Sequence, residues 1–238
     1  MEIIPRYCRN IETTDFRSLW ISPENKENFK TFLKQTTQLK SLRVKCDTYR
    51  CAIGELLLQE DFNLHDEDVK IGLRKIKYIC GNDFIASESA RLLKLLPNLK
   101  GLGIFQKLSV VLPIVDDDDE IPQKLSKITE FYDTRTRLTS LECFSKFCPK
   151  AKNIFLSQPD KKVIENLWKF PLVTEIQIIS DDPDYVSEII SLLNKIGKQI
   201  KILGLHTSYE IVVIDPNIVH DLCPDLDHLH MNSETFYF

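Results

Sequence analysis

Along this chain apolar residues recur in a short frame whose first, fourth and sixth positions are apolar and whose intervening positions are mostly polar. Four segments carry it behind a proline: Leu96 to Ile104, Cys148 to Leu156, Phe170 to Ile178 and Cys223 to Met231, each reading Pro-x-φ-x-x-φ-x-φ with φ apolar. The frame recurs without proline at Ile11/Thr14/Phe16, Leu39/Leu42/Val44, Leu73/Ile76/Tyr78 and Ile200/Leu203/Leu205. A weaker copy, Ile128/Phe131/Asp133, fails at its last position. The closing φ-x-φ alternates with period two, which predicts a strand with one buried face.

Counted from the first φ, the copies start at 11, 39, 73, 99, 128, 151, 173, 200 and 226, a mean interval of about 27 residues. Between them, helical spacing predicts helices over Ile85 to Leu96, Pro159 to Phe170 and Tyr185 to Ile196, the last capped by Asp182-Pro183-Asp184. Cys51 to Leu58 is expected to fill the longest interval with extra helix. The implied unit is strand, loop, helix, strand, repeated in array.

A proline ahead of the strand and a cysteine three places before the first φ, at Cys8, Cys148 and Cys223, complete the pattern. It resembles the longer, cysteine-containing repeats of F-box leucine-rich-repeat proteins over about residues 8–231. The resemblance implies an α/β leucine-rich-repeat solenoid, a horseshoe with parallel strands on the concave face and helices on the convex face, forming a single domain over residues 1–238. It also implies a protein–protein interaction module, the substrate-recognition region of a ubiquitin ligase subunit. A free-standing scaffold or receptor-type binding domain, unrelated to ubiquitination, is the alternative. Only Met1 to Tyr7 precede the first copy, so this chain holds no F-box, and a ligase adaptor is a partner only if one lies upstream. Asn232 to Phe238 are too few for a closing helix, so the chain is expected to be a fragment of a longer array, with Phe236-Tyr237-Phe238 as an exposed apolar tail.

The frame also sorts side chains by face. Its third and fifth positions alternate with the core positions and should present a partner-binding surface. Those chosen as candidate contacts are Arg43, Lys75, Lys77, Glu130, Tyr132, Asn153, Phe155, Glu175, Gln177, His228 and His230. Tyr132 and Phe155 are the expected anchors, since buried aromatics dominate interface energy. Arg43, Lys75 and Lys77 form a basic group suited to steering an acidic segment. Gly101 and Gly103 either relieve crowding on this face or let a ligand approach closely.

Composition narrows the function. With 31 basic and 35 acidic residues the net charge is −4, which argues against a nucleic-acid partner. No apolar run reaches the ~18 residues of a membrane span and no signal peptide begins the chain, so no membrane partner is expected. Seven cysteines at scattered spacings suit a reduced cytoplasmic or nuclear setting. His228-x-His230 has a metal-like spacing but lacks a third ligand, and the acidic run Asp116 to Glu120 lacks the glycine of a calcium loop, so no metal is expected. No nucleophile elbow, phosphate loop or zinc-protease motif occurs; the expectation is a binding protein without a cofactor, not an enzyme.

Overall fold

The computed structural model describes residues 11–16, 25–45, 71–80, 96–103, 123, 125–133, 138–180, 182, 185–206, 214–231 and 234–237. The chain divides into two compact units, Met1–Lys124 and Leu125–Phe238. In the first, strands β1 (Thr13–Phe16), β2 (Ser41–Lys45), β3 (Ile76–Cys80) and β4 (Gly101–Gly103) pair in sequence order and in parallel. Helix α1 (Lys26–Gln35) connects β1 to β2 and buries Phe29, Phe32 and Leu33, whose three- and four-residue spacing makes one apolar stripe.

The second unit repeats the plan with β5 (Glu130–Asp133), β6 (Asn153–Ser157), β7 (Glu175–Ile179), β8 (Ile202–His206) and β9 (His228–Met231), again parallel and in sequence order. Parallel neighbours need a crossover, and each here contains a helix. These are α2 (Leu138–Phe147), α3 (Lys161–Glu165), α4 (Val186–Ile196) and α5 (Pro216–Leu222). Among the described residues, then, the chain is α/β, with β1 to β4 and β5 to β9 each parallel and taken in order.

Each of the strands β1 to β9 except β3 begins two residues after the first φ of its copy. Two backbone devices recur with it. A tight turn brings the first φ's N–H onto the carbonyl three residues earlier, as in Leu39 to Thr36, Leu99 to Leu96, Ala151 to Cys148, Val173 to Phe170, Ile200 to Gly197 and Leu226 to Cys223. Then one carbonyl accepts two successive N–H groups of the next copy. Thr129 takes Lys152 and Asn153, Lys152 takes Thr174 and Glu175, Thr174 takes Lys201 and Ile202, and Lys201 takes Asp227 and His228, all within 3.1 Å. Cys148 and Cys223 thus occupy a buried turn position that Thr36, Leu96, Phe170 and Gly197 fill elsewhere, which makes the cysteines one solution among several.

The core follows the frame. Phe131, Ile154, Ile176, Leu203 and Leu229 lie side by side in register and are fully buried, and Leu156, Ile178, Leu205 and Met231 form a second row no more than 8% exposed. Behind them pack Val163, Ile164, Ile189, Leu192, Leu193 and Val219 from the helices. Each such side chain contributes roughly 1.5–3 kcal/mol when removed from water, so the repeated rows carry the fold.

Four expectations need correction. In β3 the register shifts after Ile76: Tyr78, not Lys77, pairs with Arg43, and Ile79 takes the inner position assigned to Tyr78. A bulge of one residue reverses the faces beyond it. The helix expected over Pro159 to Phe170 is the shorter α3 followed by a 3-10 turn, Leu167–Lys169. The N-cap of helix α4 is Tyr185, whose side chain makes no capping hydrogen bond; Ser180 Oγ accepts the Asp182 N–H, and Pro183 and Asp184 of the expected cap lie outside the described residues. Phe236 and Tyr237 of the expected tail belong to β10 (Glu234–Tyr237), which runs antiparallel along β9 and covers its outer edge; Phe238 lies outside the described residues. The helices expected over Cys51 to Leu58 and over Ile85 to Leu96, Leu96 itself excepted, and the acidic run Asp116 to Glu120 lie outside the described residues.

Candidate protein-docking face

In the second unit the outward positions align across strands. Glu130, Asn153, Glu175, Ile202 and His228 form one lateral row; Tyr132, Phe155, Gln177, Gly204 and His230 form the next. All are partly exposed except the buried Gly204. The Tyr132 and Phe155 rings stack with centroids 4.6 Å apart. Tyr132 donates its hydroxyl to Glu130 Oε2 at 2.7 Å, and Gln177 donates its amide to Glu175 Oε1 at 2.8 Å, each reaching two residues back along its own strand. The first and second rows are therefore tied together on β5 and on β7.

Gly204 interrupts the second row. A β-carbon there would lie 3.0 Å from Gln177 Cγ and 3.3 Å from His206 Nε2, so these two side chains roof the glycine. His228 and His230 stand 6.1 Å apart, ring to ring. The frame missed a third outward row because it stops at the sixth position, whereas the strands continue one residue further. Ser157, Ile179 and His206 align there, and Ile179 is 44% exposed. The sequence signal was the alternation continuing past the frame. At the described outward positions of β5 to β9 the charged or titratable side chains are two glutamates and three histidines, with no lysine or arginine.

The basic candidates belong to the first unit and have a different character. Lys75 donates its ammonium to the Thr36 carbonyl at 2.9 Å, capping the end of α1, where the helix dipole favours a cation. Burial holds its pKa below the ordinary lysine value. Lys77 is lowered as well, by burial first and then by the nearby Lys100 charge. Arg43 is flanked in register by Asp15 and Tyr78; its side chain lies outside the described residues. Gly101 is buried beside Tyr78 and Gly103 is buried at the end of the same short strand.

Burial pushes the Cys148 thiol up to about 12 and the Cys223 thiol up to about 11, which keeps both protonated and makes them packing groups. Among the described residues no group of three or more His, Cys, Asp or Glu is placed to hold a metal ion, and no helix is long and apolar enough to cross a membrane. No family model matches the chain, and no curated protein matches it.

Proposed function

We propose that this chain is a protein-binding module of the leucine-rich-repeat type, with its partner lying on the strand face of β5 to β9, and that it serves as the substrate-recognition region of an F-box-type ubiquitin ligase subunit. The observation that carries the binding reading is the lateral alignment of two outward rows around the stacked Tyr132 and Phe155 rings. A mostly polar surface with a stacked aromatic pair at its β5/β6 end has the make-up of an aromatic anchor with polar surroundings. The repeated frame, with the buried turn position that Cys148 and Cys223 share, supports the leucine-rich-repeat type. A free-standing scaffold is the rival reading, and co-precipitation of a ligase adaptor with the full-length product separates the two.

The binding reading is tested by crosslinking in native cells with wild type, with Tyr132→Ala/Phe155→Ala and with Trp168→Ala, the last altering an exposed aromatic in the turn after α3. Loss of partner crosslinks in the double variant alone is expected. Equal capture by all three proteins overturns it.

A further inference from the structure

The face has a charge and a shape that select a partner, and this step rests on the docking reading above. Glu130 and Glu175 lie in one row on either side of Asn153, two strands apart, which separates their α-carbons by about 10 Å. Phe155 stands beside Asn153 on the same strand, so its ring lies between the two glutamates and one row forward. One side of that ring is covered by Tyr132; the strand on its other side presents Gln177, whose amide is drawn back to Glu175. The β5 to β7 end of the face therefore offers an aromatic surface flanked by carboxylates.

We propose that this site holds an arginine of an extended, basic segment of the partner protein. A guanidinium is flat, stacks on an aromatic ring and presents a fork of N–H donors to carboxylates, a combination that a lysine ammonium does not supply. An acidic segment would meet like charges at Glu130 and Glu175. An apolar segment would strip water from both carboxylates without replacing their hydrogen bonds.

Titration of the full chain with short labelled peptides of alternating serine and arginine, lysine or glutamate tests this. The arginine peptide is expected to bind, with Glu175→Gln and Phe155→Leu each weakening it about tenfold, and Glu165→Gln on α3 leaving it unchanged. Glu175→Gln keeps the side-chain shape, so its effect is read without loss of fold; circular dichroism verifies this for Phe155→Leu. The lysine peptide is expected to bind more weakly and the glutamate peptide not at all. A lysine peptide equal to the arginine one, a glutamate peptide that binds, or arginine binding indifferent to both substitutions overturns the assignment. If the assignment fails while crosslinks in native cells still depend on Tyr132 and Phe155, only the partner chemistry is wrong. If those crosslinks are also independent of the pair, the docking reading falls with it.

Discussion

Tyr132 and Phe155 face each other across the β5/β6 pair with their ring planes only 12° from parallel. Neighbouring parallel strands set equivalent side chains roughly 4.8 Å apart, so two aromatic rings at matched positions are brought to stacking distance by the backbone itself. Such a pair contributes about 0.5–1.5 kcal/mol beyond its area. A double-mutant cycle with Tyr132→Leu and Phe155→Leu should therefore give a coupling near ~1 kcal/mol in urea melts, insensitive to salt. Simple additivity of the two changes would show that the rings do not support one another.

Two glycines should respond unequally to alanine. A β-carbon on Gly197 would fall inside contact distance of the Leu222 carbonyl and close to Cys223 Sγ, where α4 ends against the backbone of the next repeat. Because backbone cannot swing aside, Gly197→Ala is expected to cost about 1–3 kcal/mol. At Gly204 the obstacles are side-chain atoms, Gln177 Cγ at 3.0 Å and His206 Nε2 at 3.3 Å, which need give by only a few tenths of an ångström, so Gly204→Ala should cost less than about 1 kcal/mol. Equal unfolding midpoints for the two variants would refute this packing.

The buried thiols predict alkaline sensitivity. Below pH 9 the Cys148 thiol is protonated folded or unfolded, and its contribution is fully present. Between pH 9 and about 12 only the unfolded chain loses the proton, so the unfolded state is favoured as pH rises, by up to about 1.4 kcal/mol per pH unit. Cys223 adds the same sign up to about 11. Lys75 and Lys77 act in the opposite sense below their ordinary value of 10.5. Cys148→Ala should be less stable than wild type at pH 7 by about 1 kcal/mol, with the gap narrowing as melts are repeated toward pH 10. A constant gap would contradict the linkage.

Strands were legible because their inner positions repeat: Ile154, Ile176, Leu203 and Leu229 fall at one place in the frame and in one lateral row. The same logic failed at β3, where Tyr78 and Ile79 are both apolar and period two cannot say which one turns inward. Helix α4 is readable from Ile189, Leu192 and Leu193, whereas α1 escapes the pattern because lysines and polar amides surround Phe29, Phe32 and Leu33. The Tyr132–Phe155 pair could be read from matched positions in two copies. The role of Lys75 could not, because it depends on a carbonyl 39 residues away.

Ile176 and Gln177 are adjacent yet point to opposite faces, so they test the register of β7. Ile176→Asp would place an unpaired charge among fully buried neighbours, at roughly 3–5 kcal/mol, and Leu102→Asp should do the same in β4. Gln177→Asp, on the partly exposed face, should change stability by less than about 1 kcal/mol. Matching urea midpoints for Ile176→Asp and wild type would overturn the register.

The two lysines around β3 should part company under the same substitution. Burial disfavours the Lys75 charge as well, but Lys75→Met also strips the Thr36 carbonyl at the end of α1 of its donor, and that loss of a hydrogen-bond partner is expected to outweigh the relief and cost about 1 kcal/mol. Lys77→Met instead removes a cation that is disfavoured by burial and by Lys100, so stability should hold or rise by up to about 0.5 kcal/mol. Because the part due to Lys100 is a repulsion between charges near the surface, that part of the gain should shrink in 1 M salt, where the Debye length is about 3 Å. The Lys75→Met loss, resting on a direct contact, should persist there. If both variants destabilise equally and respond alike to salt, Lys75 is not the cap of α1 and both lysines act only through the general field of the first unit.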